Sequence, residues 1–194
     1  MASLASWNAG VTHSTVVKAL DAYGNVATGY QGTIHFTSSD PKAVLPADYT
    51  FTSGDAGVHT STITLKTAGI VWIVATDTGH ASIKGSQTGI VVNPGAATHL
   101  SVSTATSWTA GVSHSVTVKA LDAYGNVATG YLGTVRLTSS DSQAVLPASY
   151  AFISSDKGVH VFVVTLKTNG TQSITATDSA HSSIKGSQSG IVVQ

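Results

Sequence analysis

Apolar and polar residues alternate over short spans along the whole chain, each span closing on Gly, Asn, Asp or Pro, and a helical period is weak throughout. Such alternation is the mark of half-buried strands, because successive side chains on an extended backbone point to opposite faces. Val116, Val118 and Ala120 share one face of such a run, with Ser115, Thr117 and Lys119 on the other. The next run turns Val135 and Leu137 inward and Thr134 and Arg136 outward. A third lines up His160, Phe162, Val164 and Leu166. After it, Lys167-Thr-Asn-Gly170 reads as a hairpin turn with glycine at the left-handed position, leading to a strand with Ile174 and Ala176 inward. Ile184, then Ile191 and Val193, provide the closing strands.

The same text occurs twice. Residues 1–93 and 102–194 align without a gap at a constant offset of 101, with roughly two-thirds of the positions identical. Lys18–Tyr30 returns unchanged as Lys119–Tyr131, and Ser82–Gln87 as Ser183–Gln188. Where the copies differ, inward sites stay apolar (Ile34 and Phe36 become Val135 and Leu137) while the outward His35 becomes Arg136. About 95 residues is the size of one independently folding domain. The chain therefore reads as domain 1–93, a short linker 94–101, and domain 102–194. Seven or so short strands per copy predict an all-β protein of two tandem immunoglobulin-like β-sandwich domains. In Asn93-Pro-Gly-Ala-Ala-Thr-His99, Pro94 and Gly95 set a bend rather than a flexible tether, which predicts domains placed end to end. Near-identical copies in line build stalks, spacers and multivalent binders more readily than a catalytic pocket, which draws its residues together once per fold.

Composition narrows this further. Only 9% of residues are charged, the formal net charge is zero, and every acidic residue is an aspartate. With no basic stripe to neutralise phosphates, nucleic acid is not expected as a partner. No apolar run approaches the roughly 20 residues that span a bilayer, and the start Met1-Ala2-Ser3 lacks the pattern of a signal peptide, so this stretch reads as part of a longer protein that does not itself enter a membrane. Cysteine is absent, which removes disulfides and thiolate chemistry. Low charge with abundant Thr, Ser, Gly, Val and Ala fits an exported, extended protein at the cell surface or outside the cell.

Candidate chemistry is sparse. Asp21, Gly24 and Asn25, repeated as Asp122, Gly125 and Asn126, form a structural turn: the aspartate accepts backbone N–H groups, and Gly and Asn tolerate positive φ. Asp21 and Asn25, joined by Asp77, are weak candidates for calcium, which wants six to eight oxygens and usually several carboxylates close in sequence. No cofactor is expected otherwise. The repeated histidines, His13 and His114, His59 and His160, His80 and His181, show no zinc-ligand spacing. Lys18, Asn25 and Asp77, with Lys119, Asn126 and Asp178, hold the residue types of an isopeptide cross-link, but Lys18 falls on a polar strand face. No Gly-x-Ser-x-Gly elbow occurs, and the chain is not expected to be an enzyme.

Val17-Lys-Ala-Leu-Asp-Ala-Tyr-Gly-Asn-Val26, a strand running into an Asp-x-x-Gly-Asn turn, followed by Gly32-Thr-Ile-His-Phe36, resembles the bacterial immunoglobulin-like repeats of invasin- and intimin-type surface adhesins. The resemblance covers the start of both copies. It implies a surface or secreted stalk domain without catalysis, flanked by further repeats of the same parent chain.

The copies disagree most at the outward positions of two strands. Ile70, Trp72 and Val74 stand where the second copy has Thr171, Ser173 and Thr175; Val161 and Val163 stand where the first has Thr60 and Thr62. An outward Trp between β-branched residues is costly to leave wet, and it marks a candidate patch for weak self-association or for a glycan or host receptor. Trp7 and Trp108, shared by both copies, read as packing residues. Trp72 with the loop tyrosines Tyr23, Tyr30, Tyr124 and Tyr131 supplies the aromatics for sugar stacking.

Overall fold

A computed structural model of the chain describes residues 6–194; the start Met1-Ala2-Ser3 lies outside the described residues. The chain divides into two compact units, Met1–Asn93 and Pro94–Gln194. Each is an all-β, immunoglobulin-like sandwich of two sheets.

In the first unit the strands are β1 (Ser6–Asn8), β2 (Thr12–Lys18), β3 (Thr33–Ser38), β4 (Tyr49–Thr50), β5 (Val58–Thr64), β6 (Gly69–Asp77) and β7 (Lys84–Asn93). One sheet has the order β1-β7-β6-β3-β4, and β2 pairs with β5 in the other. Inward residues meet between the sheets: Ile34 and Phe36 from β3, Ile63 from β5, Val71 and Ile73 from β6, Ile90 and Val92 from β7. Between β6 and β7 the register shifts after Val71↔Ile90, so that Ile73 faces Gln87. Gly89, at φ 70°, absorbs the extra residue of that bulge in a conformation other residues adopt only at a cost.

The second unit has β8 (His99–Ser103), β9 (Ser107–Trp108), β10 (Ser113–Leu121), β11 (Thr134–Ser139), β12 (Tyr150–Ala151), β13 (Val159–Thr165), β14 (Gly170–Asp178) and β15 (Lys185–Val193). Its sheets are β12-β11-β14-β15-β9 and β13-β10-β8. Val116, Val118, Ala120, Val135, Leu137, Phe162, Val164, Leu166, Ile174, Ala176, Ile191 and Val193 are all buried, so the alternation assigned their faces.

Two readings need correction. Lys167–Gly170 does not turn a hairpin: β13 pairs with β10 and β14 with β11 and β15, so the chain crosses there from one sheet to the other. Gly170 does take a positive φ, 121°, because a crossover needs the same sharp turn as a hairpin. The stretch 94–101 is not a bare linker either. It enters β8 at His99, and Leu100 and Val102 are buried in the second unit's core.

Candidate functional site

The outer face of β6 carries the candidate patch. Ile70 is 74% exposed and Trp72 41%, with Val74 half-buried beside them, while Val71, Ile73 and Ala75 point inward. Trp72 is fixed by its backbone: its N–H donates to Ser39 Oγ (3.0 Å), and its carbonyl accepts from Ser38 Oγ (2.9 Å) and the Ser39 N–H (3.2 Å). Ser173 makes the same contacts with Ser140 and Ser139 in the second unit. The strand therefore holds its path whatever side chain stands there. Trp72→Ser is expected to leave the first unit folded, with a stability change within about 0.5–1 kcal/mol, as measured by thermal unfolding. Val161 and Val163 lie exposed on β13 of the second unit.

Trp7 and Trp108 are buried and stack on His13 and His114, with ring centroids 4.2 and 4.3 Å apart. Of the tyrosines grouped above as sugar platforms, Tyr23 is exposed, but Tyr30 and Tyr131 are not available. Their rings meet Phe51 and Phe152 edge-on, and their hydroxyls donate to the buried carboxylates of Asp77 and Asp178. Burial, and then the hydrogen bond to Asp77, push the Tyr30 hydroxyl up to about 12.

The aspartates are structural hubs. Asp21 Oδ1 accepts from the N–H groups of Tyr23 (2.9 Å) and Asn25 (2.8 Å), and Oδ2 from Asn25 Nδ2 (3.1 Å), with Gly24 at φ 84°. Asp122 repeats this with Tyr124, Asn126 and Gly125, and adds the Gly95 N–H at 2.9 Å. Asp77 binds Tyr30 and the N–H groups of Gly79 and His80. Asp40 and Asp141, buried at the sheet crossovers, gather the amides of Lys66 and Thr67, and of Lys167 and Thr168. Asp55 and Asp156 each take a tyrosine hydroxyl and a backbone N–H, and Asp48 meets His35 at 2.6 Å. All nine carboxylates of the chain thus already accept hydrogen bonds within their own unit. Asp21, Asn25 and Asp77 all take part in these bonds, and no group of three or more His, Cys, Asp or Glu able to hold a metal occurs among the described residues. Lys18 is exposed on β2, and Asn25 is bound to Asp21.

These bonds set the pH response. The Tyr30 hydroxyl bond lowers the Asp77 carboxyl; at Asp40, Asp122, Asp141 and Asp178 burial pulls upward, but the hydrogen bonds outweigh it and hold each below the usual carboxylate range. The unfolded chain therefore takes up protons first as pH falls. The stability these groups contribute is complete above about pH 5 and is lost progressively below about pH 4. At the alkaline end Tyr30 works in the opposite sense, contributing below about pH 10 and losing its contribution as pH rises toward about 12. Urea unfolding between pH 2 and 11 is expected to give a plateau with both shoulders; a midpoint that rises on acidification would contradict these assignments.

Sequence reasoning missed Asp40, Asp141, Tyr49 and Tyr150 as organising residues. Tyr49 and Tyr150 stack on His59 and His160 with centroids 3.4 and 3.6 Å apart. The available signal was that these residues recur at the 101 offset while their neighbours change.

No family description matches this sequence, and neither does any curated protein. Among solved structures the chain is similar to a glycosyl hydrolase family 2 member from Bacteroides cellulosilyticus, at 16% identity and TM-score 0.46, over 96% of this chain and 28% of that one. It is also similar to the adhesin InvE of Yersinia pseudotuberculosis, at 18% identity and TM-score 0.40, over 95% of this chain and 55% of that one. Domains 4–9 of the surface layer protein SbsC match at 17% identity and TM-score 0.36, over 100% of this chain and 30% of theirs. At such identities the likeness concerns the fold alone, and this chain spans well under two-thirds of each of those chains. No helix among the described residues is long and apolar enough to cross a membrane.

Proposed function

We propose that the chain is a pair of non-catalytic structural repeats from a bacterial cell-surface or secreted, adhesin-like protein, serving as spacers between neighbouring repeats of the same parent chain. One observation supports this reading above the others: the chain has no glutamate, and each of its nine aspartates is already an acceptor in its own unit, eight of them as four pairs that repeat the same pattern in both units. Carboxylates that bind backbone N–H groups and tyrosine hydroxyls organise the fold, which is the part a structural repeat asks of them. The duplicated Asp-x-x-Gly-Asn turn adds the resemblance to adhesin repeats. Small-angle scattering of the fragment is the test of the spacer. An extended particle is expected, and a compact one sinks the idea of domains in line.

A second reading, a carbohydrate- or receptor-binding module, is favoured by one feature, the exposed Ile70–Trp72 face. A glycan-array screen with the fragment and with Trp72→Ser separates the two: affinity that vanishes in the folded variant assigns binding to that face.

A further inference from the structure

Of the five asparagines in the chain, only Asn169 has a hydroxyl residue two positions on with no proline between, in Asn169-Gly-Thr171. Asn8, Asn25, Asn93 and Asn126 have Gly10, Ala27, Gly95 and Ala128 at that place. The structure separates them as well. The carboxamides of Asn25 and Asn126 bind Asp21 and Asp122, and that of Asn93 donates to Ser6 Oγ at 2.9 Å. Asn169 is exposed, and its carboxamide has no hydrogen-bond partner among the described residues.

The turn that carries Asn169, between β13 and β14, is held at its base. Asp141 binds the N–H groups of Lys167 and Thr168, and Gln172 Nε2 donates to the Thr168 carbonyl at 3.2 Å. Gly170 leaves room beside the asparagine, since a Cβ there would meet nothing within 4 Å. Beyond it, Thr171, Ser173 and Thr175 make the outward row of β14 a strip of hydroxyls. The first unit has none of this chemistry. Ala68 and Ile70 stand at the two motif positions, and the outward row is Ile70, Trp72 and Val74. The copies therefore part along one strand face in a consistent direction, an acceptor with hydroxyls on one and neither on the other.

We propose that Asn169 is an N-glycan attachment site, with the hydroxyl strip of β14 as the surface along which the first sugar lies. An Asn-x-Thr motif without proline, set in a surface turn, is the acceptor that asparagine-modifying glycosyltransferases use. In the transfer, Nδ2 forms a bond to the anomeric carbon of a sugar activated as a phosphate ester. The bond from that carbon to the donor oxygen breaks, the phosphate leaves with the electron pair, and Nδ2 gives up one proton. The site rests on the surface or secreted location proposed above.

The test isolates the whole chain from the cells that make it and reads the tryptic peptide Thr168–Lys185, in which Asn169 is the sole asparagine. A sugar-bearing peptide is expected, with aspartate left at 169 once a glycoamidase has removed the sugar. Asn169→Ala and Thr171→Ile should each abolish the modification at an unchanged melting temperature, because the first copy folds with Ala68 and Ile70 at those positions. A bare Asn169 overturns the proposal wherever the chain is found, and so does sugar that survives Thr171→Ile. Fractionation of the same cells tests the location separately: bare chain recovered from the cell surface or medium sinks the glycan alone, whereas glycosylated chain confined to the cytoplasm sinks the location and keeps the site.

Discussion

Asp141→Ala is expected to lower the stability of the second unit by about 3–5 kcal/mol, the cost of removing a buried, charged acceptor from four hydrogen bonds at once. Oδ2 of Asp141 accepts from the N–H groups of Lys167 (2.6 Å) and Thr168 (3.0 Å); Oδ1 accepts from the Gln143 N–H (2.9 Å) and Thr168 Oγ1 (2.6 Å). These donors belong to the loop after β11 and to the crossover between β13 and β14, so one carboxylate fastens the point where the chain changes sheets. Alanine removes all four acceptor contacts, three of them to backbone amides. For a domain of about 100 residues each kcal/mol shifts the melting temperature by roughly 4–8 °C, so a fall of 12 °C or more is expected in calorimetry. Asp40→Ala should act alike in the first unit, where Lys66, Thr67 and Lys42 donate to it. Asp48→Ala, which loses only an exposed contact with His35, should cost less than about 1 kcal/mol. Equal effects from Asp48 and Asp141 would deny the hub its role.

That contrast also marks where reading the sequence stopped. Apolar faces were legible because burial is written into alternation: Val116, Val118, Val135 and Leu137 need only a period of two to be placed. A buried aspartate leaves no such trace. Its burial depends on amides from a segment 26 residues away, at Lys167, and nothing local announces that they converge. The Tyr30–Asp77 bond, spanning 47 residues, is hidden for the same reason, because a tyrosine in the stretch Gly29-Tyr-Gln-Gly32 reads as a surface loop residue. Gly170 misled more subtly, since a glycine-bearing turn between two strands looks the same whether the second strand pairs with the first or crosses to the other sheet. The repeat itself concealed β8. Equating the edges of the alignment with the edges of the domain cut through Leu100-Ser-Val102, an apolar alternation that was visible all along. At Trp72 the sequence placed the side chain correctly, because divergence between copies falls where the backbone makes no demand.

Gly133→Ala is expected to rank with Asp141→Ala, at about 3–5 kcal/mol, although it adds a single methyl group. A Cβ there would collide with the Asp178 carboxylate and with the hydroxyl end of Tyr131. Neither can move aside freely. Asp178 Oδ1 is held by the N–H groups of Ala180 (2.8 Å) and His181 (2.9 Å), and the Tyr131 ring sits edge-on to Phe152 at 5.1 Å. The cost is therefore overpacking, about 1–3 kcal/mol, together with loss of a charge-assisted hydrogen bond worth about 1.5–3 kcal/mol. Gly130→Ala, three residues earlier, meets open space and should change stability by less than about 0.5 kcal/mol. Tyr131→Phe keeps the ring but loses the same hydroxyl bond that the added methyl disrupts, so in combination with Gly133→Ala it should cost clearly less than the sum of the two single changes, which count that bond twice. Strict additivity in that cycle would mean the glycine is not there to make room for the Tyr131–Asp178 bridge. Since Gly32 meets Tyr30 and Asp77 in the same way, the first unit offers an independent repeat of the measurement in the same molecule.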